Sequence, residues 1–440
     1  MPDGYGVRRR DRETGREGTV DETSIEVRVG RLRGDRLPTG GIGAREIEQA
    51  ARNVQCDRVQ ALLLTGVAPK AAQSAIYGDL PPAQSTFAVQ KGLKFESRLY
   101  VNGGDRLLAL YRTAGRLARE EIAVVDISQL IPAASAPRRI ALPAGATDGQ
   151  RRAVRQRQAA AVLRRRADLT LLYLRRRLSG DPDAPVAIVQ ACLPLTILGH
   201  TYHVVPDLLI AGADDPYYRV GEVKMYADRG GRTALDDVRS ASRQAAVGVV
   251  ALRQLLLRED LAASASAVVA LVPPLCDLIL RHVDTMRATL RPRRIEAEVA
   301  DIERLIDRAP RRAEAILGVV AATFGPSATL ADAAVLDAIP THYDVARCGS
   351  CALRDRCLDA ARGAGDPVTL GRMVRDELAP IGTIPAVLAL VDGRRAPRDD
   401  AQAARVRRLA EAEGAWRRAV REGTTPPGAT TRGGQGEVSR

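Results

Sequence analysis

Residues 204–244 of the chain read VVPDLLIAGADDPYYRVGEVKMYADRGGRTALDDVRSASRQ. The apolar runs predict two strands, the first around Asp207 and the second around Glu222 and Lys224, followed by a helix. This stretch differs from an ordinary apolar hairpin because it places charged side chains inside apolar strands.

The predicted strands span residues 204–210, with Asp207 in the middle, and residues 218–225. Successive side chains of a strand point to opposite faces of a sheet. Glu222 and Lys224 are therefore expected on one face.

Two acids and a lysine on adjoining strands suit a Mg²⁺ site that cleaves phosphodiester bonds. Carboxylate oxygens hold the metal, and an ammonium group stabilises charge or orients the attacking water. The alternative is a β-hairpin whose acids lie at a solvated rim.

The composition favours a globular protein with a polyanionic partner. The chain has 440 residues and 45% hydrophobic content, which is ample for a core of one to three domains. Its net charge is 66 minus 53, or +13, which favours nucleic acid electrostatically. Aromatic residues make up only 3%, which argues against base stacking as the main mode of binding.

Lysine is rare in this chain. The four lysines are Lys70, Lys91, Lys94 and Lys224, so the other 62 of the 66 basic residues are arginines. A compact ammonium with a tunable pKa does what a guanidinium cannot, so Lys224 is more informative than a lysine would be elsewhere.

Targeting signals are not apparent. No run of about 18 apolar residues predicts a membrane span, and the charged N-terminus lacks the apolar core of a signal peptide. A cytoplasmic protein is expected. In that reducing compartment six cysteines are interpreted as ligands or core residues rather than disulfides.

Composition shifts divide the chain into four parts. The predicted parts are a flexible charged arm at 1–38 with an edge strand at 23–32, a core at 39–275 with a helix at 43–65, a C-terminal helical region at 276–392, and a charged helix with a disordered tail at 393–440.

Periodicity predicts further elements in these parts. Helices are expected at 90–117, 148–178, 236–258 and 277–322 and from the cysteine motif to about 390, with strands at 121–130, 185–198 (one or a pair) and 265–272. The helix at 148–178 carries ten arginines and forms an insertion in the core. Its arginines form either a solvated face or a face that contacts phosphates.

Three cysteines near the C-terminus have the spacing of a metal site. Cys348, Cys351 and Cys357 form a Cys-x2-Cys-x5-Cys pattern, and three thiolates so close can reach one centre. Cys56 is the candidate fourth ligand of a zinc ion or a [4Fe-4S] cluster. The other two cysteines have apolar neighbours and are interpreted as core residues, namely Cys192 and Cys276.

Three short motifs resemble those of the PD-(D/E)XK nuclease superfamily. Pro206-Asp207 followed by Glu222-Val223-Lys224 resembles its signature, and Gly-x-x-Phe-Glu ending at Glu96 resembles an element of RecB-type members. Gln244 resembles the start of their Gln-x-x-x-Tyr motif, although Gly248 stands at the tyrosine position. The resemblance implies an α/β (α+β) fold with a restriction-endonuclease-like core, in which helices flank a central mixed sheet and extra helical regions are added.

The order of motifs is similar to that of iron-sulfur RecB-type exonucleases, which include CRISPR-adaptation nucleases and the nuclease parts of bacterial recombination helicases. This resemblance spans roughly residues 45–360. It implies a structural [4Fe-4S] cluster that joins the N- and C-terminal parts, since Cys56 and Cys348 lie 348 minus 56, or 292, positions apart. Zinc at the same four cysteines remains the alternative.

The resemblance also implies a function and the residues that perform it. A Mg²⁺- or Mn²⁺-dependent DNA exonuclease acting on single strands or ends is expected, in repair, recombination or phage defence and with protein partners in such a complex. Asp207, Glu222 and Glu96 would hold the metal, Lys224 would orient or activate water, and Gln244 would position the strand.

Two other classes of protein remain open. The chain could be a non-catalytic nucleic-acid-binding protein on a nuclease-like scaffold with a structural metal at its cysteines. It could also be a zinc-site regulator in which Asp207 and Glu222 are incidental. No P-loop or helicase motif is present in the sequence, which argues against an ATP-driven motor.

Several residues near the central stretch are secondary candidates. Arg229, Arg232 and Arg243 are candidates for contacts with substrate phosphates. His200 and His203 precede Asp207 and either assist at the metal or are strand-end histidines satisfied by the backbone.

Overall fold

The computed structural model describes residues 23–78, 86–117, 123–132, 148–211, 217–229, 232–282, 285 and 287–422. The helices are α1 (Ile25–Arg33), α2 (Ala44–Arg52), α3 (Asp57–Leu64), α4 (Pro69–Tyr77), α5 (Thr86–Thr113), α6 (Ile127–Leu130), α7 (Asp148–Leu178), α8 (Leu235–Arg258), α9 (Ala265–Leu271), α10 (Glu296–Phe324), α11 (Ala333–Ala338), α12 (Arg354–Gly363), α13 (Arg372–Leu378), α14 (Ile384–Val391) and α15 (Asp400–Arg421). The strands are β1 (Val124–Asp126), β2 (Ala187–Val189), β3 (Leu193–Ile197), β4 (His200–Val204), β5 (Leu208–Ile210), β6 (Arg219–Asp228), β7 (Leu275–His282) and β8 (Ala288–Arg294).

Six strands form one mixed sheet in the order β1-β2-β5-β6-β7-β8. The pairs β1/β2 and β6/β7 are parallel, and the other neighbours are antiparallel. Strands β3 and β4 form a separate antiparallel pair. The predicted α/β class, with a central mixed sheet flanked by helices, is confirmed.

Helices cover both faces of the sheet. On one face α5 packs its buried Phe95 and Tyr111 with Val223 of β6. On the other face α8 packs against β6 and β7, with α2, α3 and α10 behind it in the larger core. The central strands β2 and β5 are buried along their whole length, as their uninterrupted apolar sequences require.

Close approach between α8 and β6 depends on a glycine. A Cβ atom at Gly248 would lie 3.0 Å from Cγ1 of Val220 and 3.5 Å from Cβ of Pro206. The position at which RecB-type members carry tyrosine is therefore occupied here by a helix-to-sheet contact that leaves no room for a large side chain.

The long periodic elements agree with the sequence. Helices α5, α7 and α8 match the predicted helices at 90–117, 148–178 and 236–258, and β2 and β3 are the pair of strands predicted within 185–198. The predictions for the first part of the arm, at 1–22, and for the tail from 423 concern segments outside the described residues.

Three predicted elements are wrong in type. The expected edge strand at 23–32 is helix α1, because Ser24 caps its N-terminus by accepting a hydrogen bond from the Val27 amide and the helix buries Val29 and Leu32. The expected strand at 265–272 is helix α9, which Ser264 caps in the same way.

The start of the expected helix at 277–322 forms β7 and β8 instead, and only its later part forms α10. Strand β7 pairs along its length with β6 and β8, so contacts between distant segments override the local pattern.

Four other boundaries differ. The predicted strand at 204–210 is interrupted, since β4 ends at Val204 and β5 begins at Leu208, and Asp207 lies immediately before β5. A turn divides the helix predicted at 43–65 into α2 and α3, the strand at 121–130 is reduced to β1 followed by α6, and the helix expected to reach 390 is divided into α12, α13 and α14. No helix among the described residues is long and apolar enough to cross a membrane.

Candidate active site

The pairing of β5 with β6 brings the two carboxylates of the central stretch together. Leu208 is the register partner of Gly221, so the residue before Leu208 lies opposite the residue after Gly221. These residues are Asp207 and Glu222. A Cβ at Gly221 would lie 3.0 Å from Leu208 Cβ, so glycine permits this close pairing.

Lys224 lies between the two carboxylates. Its Nζ is 2.6 Å from Oε2 of Glu222 and 3.7 Å from Oδ2 of Asp207. The side chain of Glu222 is 4% exposed and that of Lys224 is 19% exposed, so the pair is partly shielded from water. The predicted location of Glu222 and Lys224 on one face of β6 agrees with these distances, while Val223 joins the opposite core.

The charges of this cluster depend on one another. Burial raises the pKa of Glu222 to about 7, with Asp207 adding to the rise and Lys224 opposing it. Burial lowers the pKa of Lys224, but attraction to Glu222 and Asp207 outweighs burial, and the net pKa is raised. The ammonium is therefore charged at neutral pH and holds the two acids together.

Asp207 is held in position by three neighbours. Its Oδ2 accepts a hydrogen bond from the Val223 amide at 2.8 Å, and its Oδ1 accepts one from Nε2 of Gln190 at 3.3 Å. The hydroxyl of Tyr100 donates to the Asp207 carbonyl at 3.4 Å. Both oxygens of the carboxylate are thus oriented before any ligand binds.

Glu96 reaches the same cluster from α5. Its neighbour Phe95 is buried in the core that contains Val223, and a Cβ at Gly92 would lie 3.9 Å from Cγ of Met225 on β6. Burial, together with the charge of Asp207 and against the opposing charge of Lys224, raises the pKa of Glu96 to about 7. The packing of Phe95 with Val223 therefore fixes α5 against β6 and places a third carboxylate near the first two.

Strand β6 changes register directly after the lysine. Lys224 pairs with Leu280, whereas the next paired residue, Ala227, pairs with Arg281. Such irregularities bend a strand and redirect side chains, and they are frequent beside active sites. Lys224 is therefore the last residue of the regular part of the strand.

Two neighbours of Asp207 were not among the predicted residues. Tyr100 follows Glu96 by four positions on α5, so helical spacing could have identified it. Gln190 lies in the turn between β2 and β3 with φ 54°, and its backbone N–H also donates to the Asp207 carbonyl at 3.0 Å. No pattern in the sequence indicates that left-handed conformation.

Gln244 and Arg243 make their contacts away from the cluster of Asp207, Glu222 and Glu96. Nε2 of Gln244 donates to Oγ of Ser240 on its own helix, and Nη1 of Arg243 lies 3.8 Å from Oε1 of the buried Glu48 on α2. Among the described residues, no hydrogen bond joins Gln244 to the acids of the cluster.

The two histidines and the two loop arginines also lie apart from the acids. His200 contacts the ring of Tyr202, and burial lowers the pKa of both His200 and His203. The backbones of Arg229 and Arg232 pair with each other in the turn after β6, and both side chains are exposed.

The four candidate cysteines of the metal site surround one cavity, although Cys56 is 292 positions from Cys348 (348 minus 56). All four are free thiols, with Cys56 immediately before α3 and Cys357 on α12. Cys348 and Cys351 lie in the loop that precedes α12. Cys192 and Cys276 are buried elsewhere in the core, as predicted.

The surroundings of these thiols make isolated thiolates costly. Burial, with a smaller contribution from neighbouring cysteines, raises the pKa of Cys348, Cys351 and Cys357, that of Cys351 to about 12. Nη1 of Arg58 donates to Sγ of Cys357 at 3.5 Å, and the Asp344 amide donates to Sγ of Cys348 at the same distance. Such a set of sulfur donors suits a soft metal or a cluster that neutralises several thiolates at once.

Polar contacts beside the cysteines join the N-terminal helices to the C-terminal ones. Asp337 accepts hydrogen bonds from the hydroxyl of Tyr77 at 2.8 Å and from Nε of Arg356 at 2.7 Å. Arg58 donates to the Asp337 carbonyl at 2.7 Å, and the guanidinium of Arg356 stacks 3.8 Å from the centre of the Tyr77 ring. These contacts lower the pKa of Asp337, chiefly through the Arg356 hydrogen bond.

The two candidate metal sites differ in donor chemistry. In the part of the chain that the structure describes, no group of three or more His, Cys, Asp or Glu side chains is close enough in its present arrangement to hold a metal ion. The acids offer oxygen donors, which suit a hard cation, and the Lys224 ammonium lies between them as a cation would. The cysteines offer sulfur donors around a shared cavity.

Comparison of the chain with models of known protein families, with curated proteins and with solved structures found no match. The assignment of a function therefore depends on the geometry and chemistry of the chain itself.

Proposed function

We propose that the chain is a Mg²⁺- or Mn²⁺-dependent deoxyribonuclease. The observation that carries the proposal is the buried cluster in which Lys224 Nζ lies 2.6 Å from Glu222 and 3.7 Å from Asp207. Two carboxylates in contact with one ammonium group, with a third carboxylate nearby, are the functional groups needed for metal-assisted hydrolysis of a phosphodiester.

Each residue has a distinct role in the proposed reaction. Asp207 and Glu222 would hold the cation, with Glu96 as a further ligand. A divalent cation bound there stabilises charge on the phosphate and lowers the pKa of water. Lys224 would exchange its contact with Glu222 for a role in orienting the attacking water or stabilising the developing negative charge.

The fold proposed for this chemistry is a restriction-endonuclease-like core. Its support is the pairing of β5 with β6, which sets the acids side by side, and the close contact of α5 with β6 that brings Glu96 to the same end. Cleavage of single strands or DNA ends, in repair, recombination or phage defence in the cytoplasm, is the activity that the motifs favour.

A second part of the proposal concerns the cysteines. We infer that Cys56, Cys348, Cys351 and Cys357 hold a structural [4Fe-4S] cluster, with zinc as the alternative. The support is the shared cavity of these four free thiols. A brown preparation with absorbance near ~400 nm distinguishes the cluster from colourless zinc.

One observation favours a non-catalytic alternative. Gly248 is packed against Val220, and Gln244 donates to its own helix, so the strand-positioning element of RecB-type members is absent in this geometry. A protein that binds nucleic acid without cutting it could keep the rest of the scaffold.

The test compares cleavage with binding. Purified protein is incubated with end-labelled single-stranded DNA in Mn²⁺, in Mg²⁺ and in EDTA. Release of nucleotides that requires the metal supports the nuclease, whereas retardation of intact DNA in all three conditions supports the binding protein.

A further inference from the structure

A cleft lined mainly by arginines lies among the helices packed around α8. Its volume is about 670 Å³, and it is bounded by α2, α3, α8 and α10. Among the described residues that line it, seven are arginines and one, Asp301, is acidic. Several of these arginines come from different helices, so the concentration of positive charge arises only in the folded chain.

Helix α10 supplies four of the arginines along one side. They are Arg304, Arg308, Arg311 and Arg312, which follow one another at intervals of four, three and one. At a rise of 1.5 Å per residue the row is about 12 Å long. A row of this length is comparable with the distance spanned by a few successive phosphates of a nucleic-acid strand, each of which carries one negative charge.

The other wall is fixed to the segments that carry the cysteines. Nη2 of Arg52 donates to Oγ of Ser350, between Cys348 and Cys351, at 3.0 Å. Nη1 of Arg312 pairs at 2.7 Å with Asp57, the residue after Cys56. The cleft is therefore held open by the same segments that form the metal site, which preorganises its charges.

A buried acid connects the cleft to the candidate active site. Oε1 of Glu48 lies 3.8 Å from both Arg52 and Arg243, and Glu48 is 2% exposed. Tyr226, two positions after Lys224 on β6, is close enough to both Glu48 and Lys224 to respond to their charges. Glu48 and Tyr226 therefore lie between Lys224 and two arginines of the cleft, Arg52 and Arg243.

We propose that this cleft binds the phosphate backbone of a nucleic-acid strand that extends from the candidate active site. A strand is favoured over a free polyphosphate by the length of the arginine row. No aromatic ring lines the cleft among the described residues, so it offers nothing on which a base could stack, and the contacts are independent of sequence. The inference rests on the proposed nucleic-acid substrate but can be tested without cleavage.

Two arginines are available for a direct test. Arg308 and Arg311 are exposed, and neither has an acidic partner among the described residues. The variants are the pair Arg308→Gln with Arg311→Gln and the pair Arg308→Glu with Arg311→Glu. The matched control reverses two exposed arginines on α15, Arg407→Glu with Arg418→Glu, which changes the net charge by the same amount elsewhere.

Binding of a labelled oligothymidylate is measured in EDTA by fluorescence anisotropy at several salt concentrations. The charge-reversal pair is expected to weaken binding at least tenfold more than the control pair. The glutamine pair is expected to reduce the slope of log affinity against log salt by about 1.4, since each single-strand phosphate contact contributes about 0.7. Equal losses in the cleft and control variants would overturn the proposal.

Two further results separate this inference from others. Inorganic tripolyphosphate that displaces the oligonucleotide at equal phosphate concentration would overturn the assignment to a strand and indicate a free polyphosphate. Failure to cleave DNA under any condition, with specific loss of binding in the cleft variants, would leave the cleft established and refute only the nuclease.

Discussion

Replacing Lys224 with methionine removes the ammonium between the two acids while keeping a side chain of similar length. In the structure that ammonium is 2.6 Å from Glu222 and 3.7 Å from Asp207. With an effective dielectric constant of about 20, the gross attractions are about 6 and about 4 kcal/mol. Desolvation offsets much of this, so about 3–5 kcal/mol is the upper range for the cost of leaving the acids unpaired.

Two consequences follow for the Lys224→Met variant. Without the group that orients water or stabilises charge, Mn²⁺-dependent cleavage is expected to fall about 10²- to 10³-fold. Mn²⁺ no longer competes with the ammonium, so its affinity is expected to rise. A 100-fold gain at saturating metal adds about 2.7 kcal/mol, or about 3 °C in melting temperature for a chain of this length.

The assays are the initial rate of nucleotide release and thermal unfolding with and without Mn²⁺. Lys70→Met is the control, because Lys70 is an exposed lysine near the start of α4. A variant at Lys224 that cleaves as fast as the wild type, or that gains no more stability from Mn²⁺ than the control does, would refute the role given to this lysine.

Three other predictions concern residues outside the acid cluster that are expected to stabilise the fold around the two candidate sites. Cys56→Ser should lose the metal proposed at the four cysteines, measured by elemental analysis, and about 3–6 kcal/mol of stability because a 292-residue connection (348 minus 56) is opened, whereas the core variant Cys276→Ser should retain that metal. Gly248→Ala should cost about 1–3 kcal/mol in denaturant unfolding through its contact with Val220, and a stable, more active Gly248→Tyr would contradict the packing argument. Asp337→Asn should cost about 1–2 kcal/mol at pH 7. The pKa of Asp337 in the folded protein is lowered below 3.8, so the stability difference between the wild type and the variant is lost as the pH falls through that lowered value. The melting temperatures of the two proteins should then converge in acid. A difference in melting temperature that persists in acid would exclude the ion pair as its cause.

The sequence predicted those elements whose pattern is long and local. Helices α5, α7 and α8 each extend over more than twenty residues, and their periodicity outweighs any single misleading residue. The meeting of Asp207 with Glu222 was also predictable, because two apolar strands that lie close together in the sequence often pair with each other.

The features that the sequence did not predict depend on contacts between distant parts of the chain. Strand β7 is defined by its pairing with β6 and β8, and helix α1 by burial of Val29 and Leu32 in a core that other segments complete. The basic cleft is of the same kind. In the sequence its arginines are only part of a general excess of arginine along the chain. The packing of α10 against α2 and α8 brings them together in the fold.

The central claim is that Asp207 and Glu222 hold a catalytic cation. Its most direct test is the initial rate at which the purified protein releases nucleotides from single-stranded DNA in Mn²⁺, compared with Asp207→Asn under the same conditions. The wild type is expected to release nucleotides in a reaction that EDTA abolishes, and the variant is expected to release none despite an unchanged melting temperature in EDTA. Release at equal rates by both proteins, or by neither in any divalent metal, would contradict it.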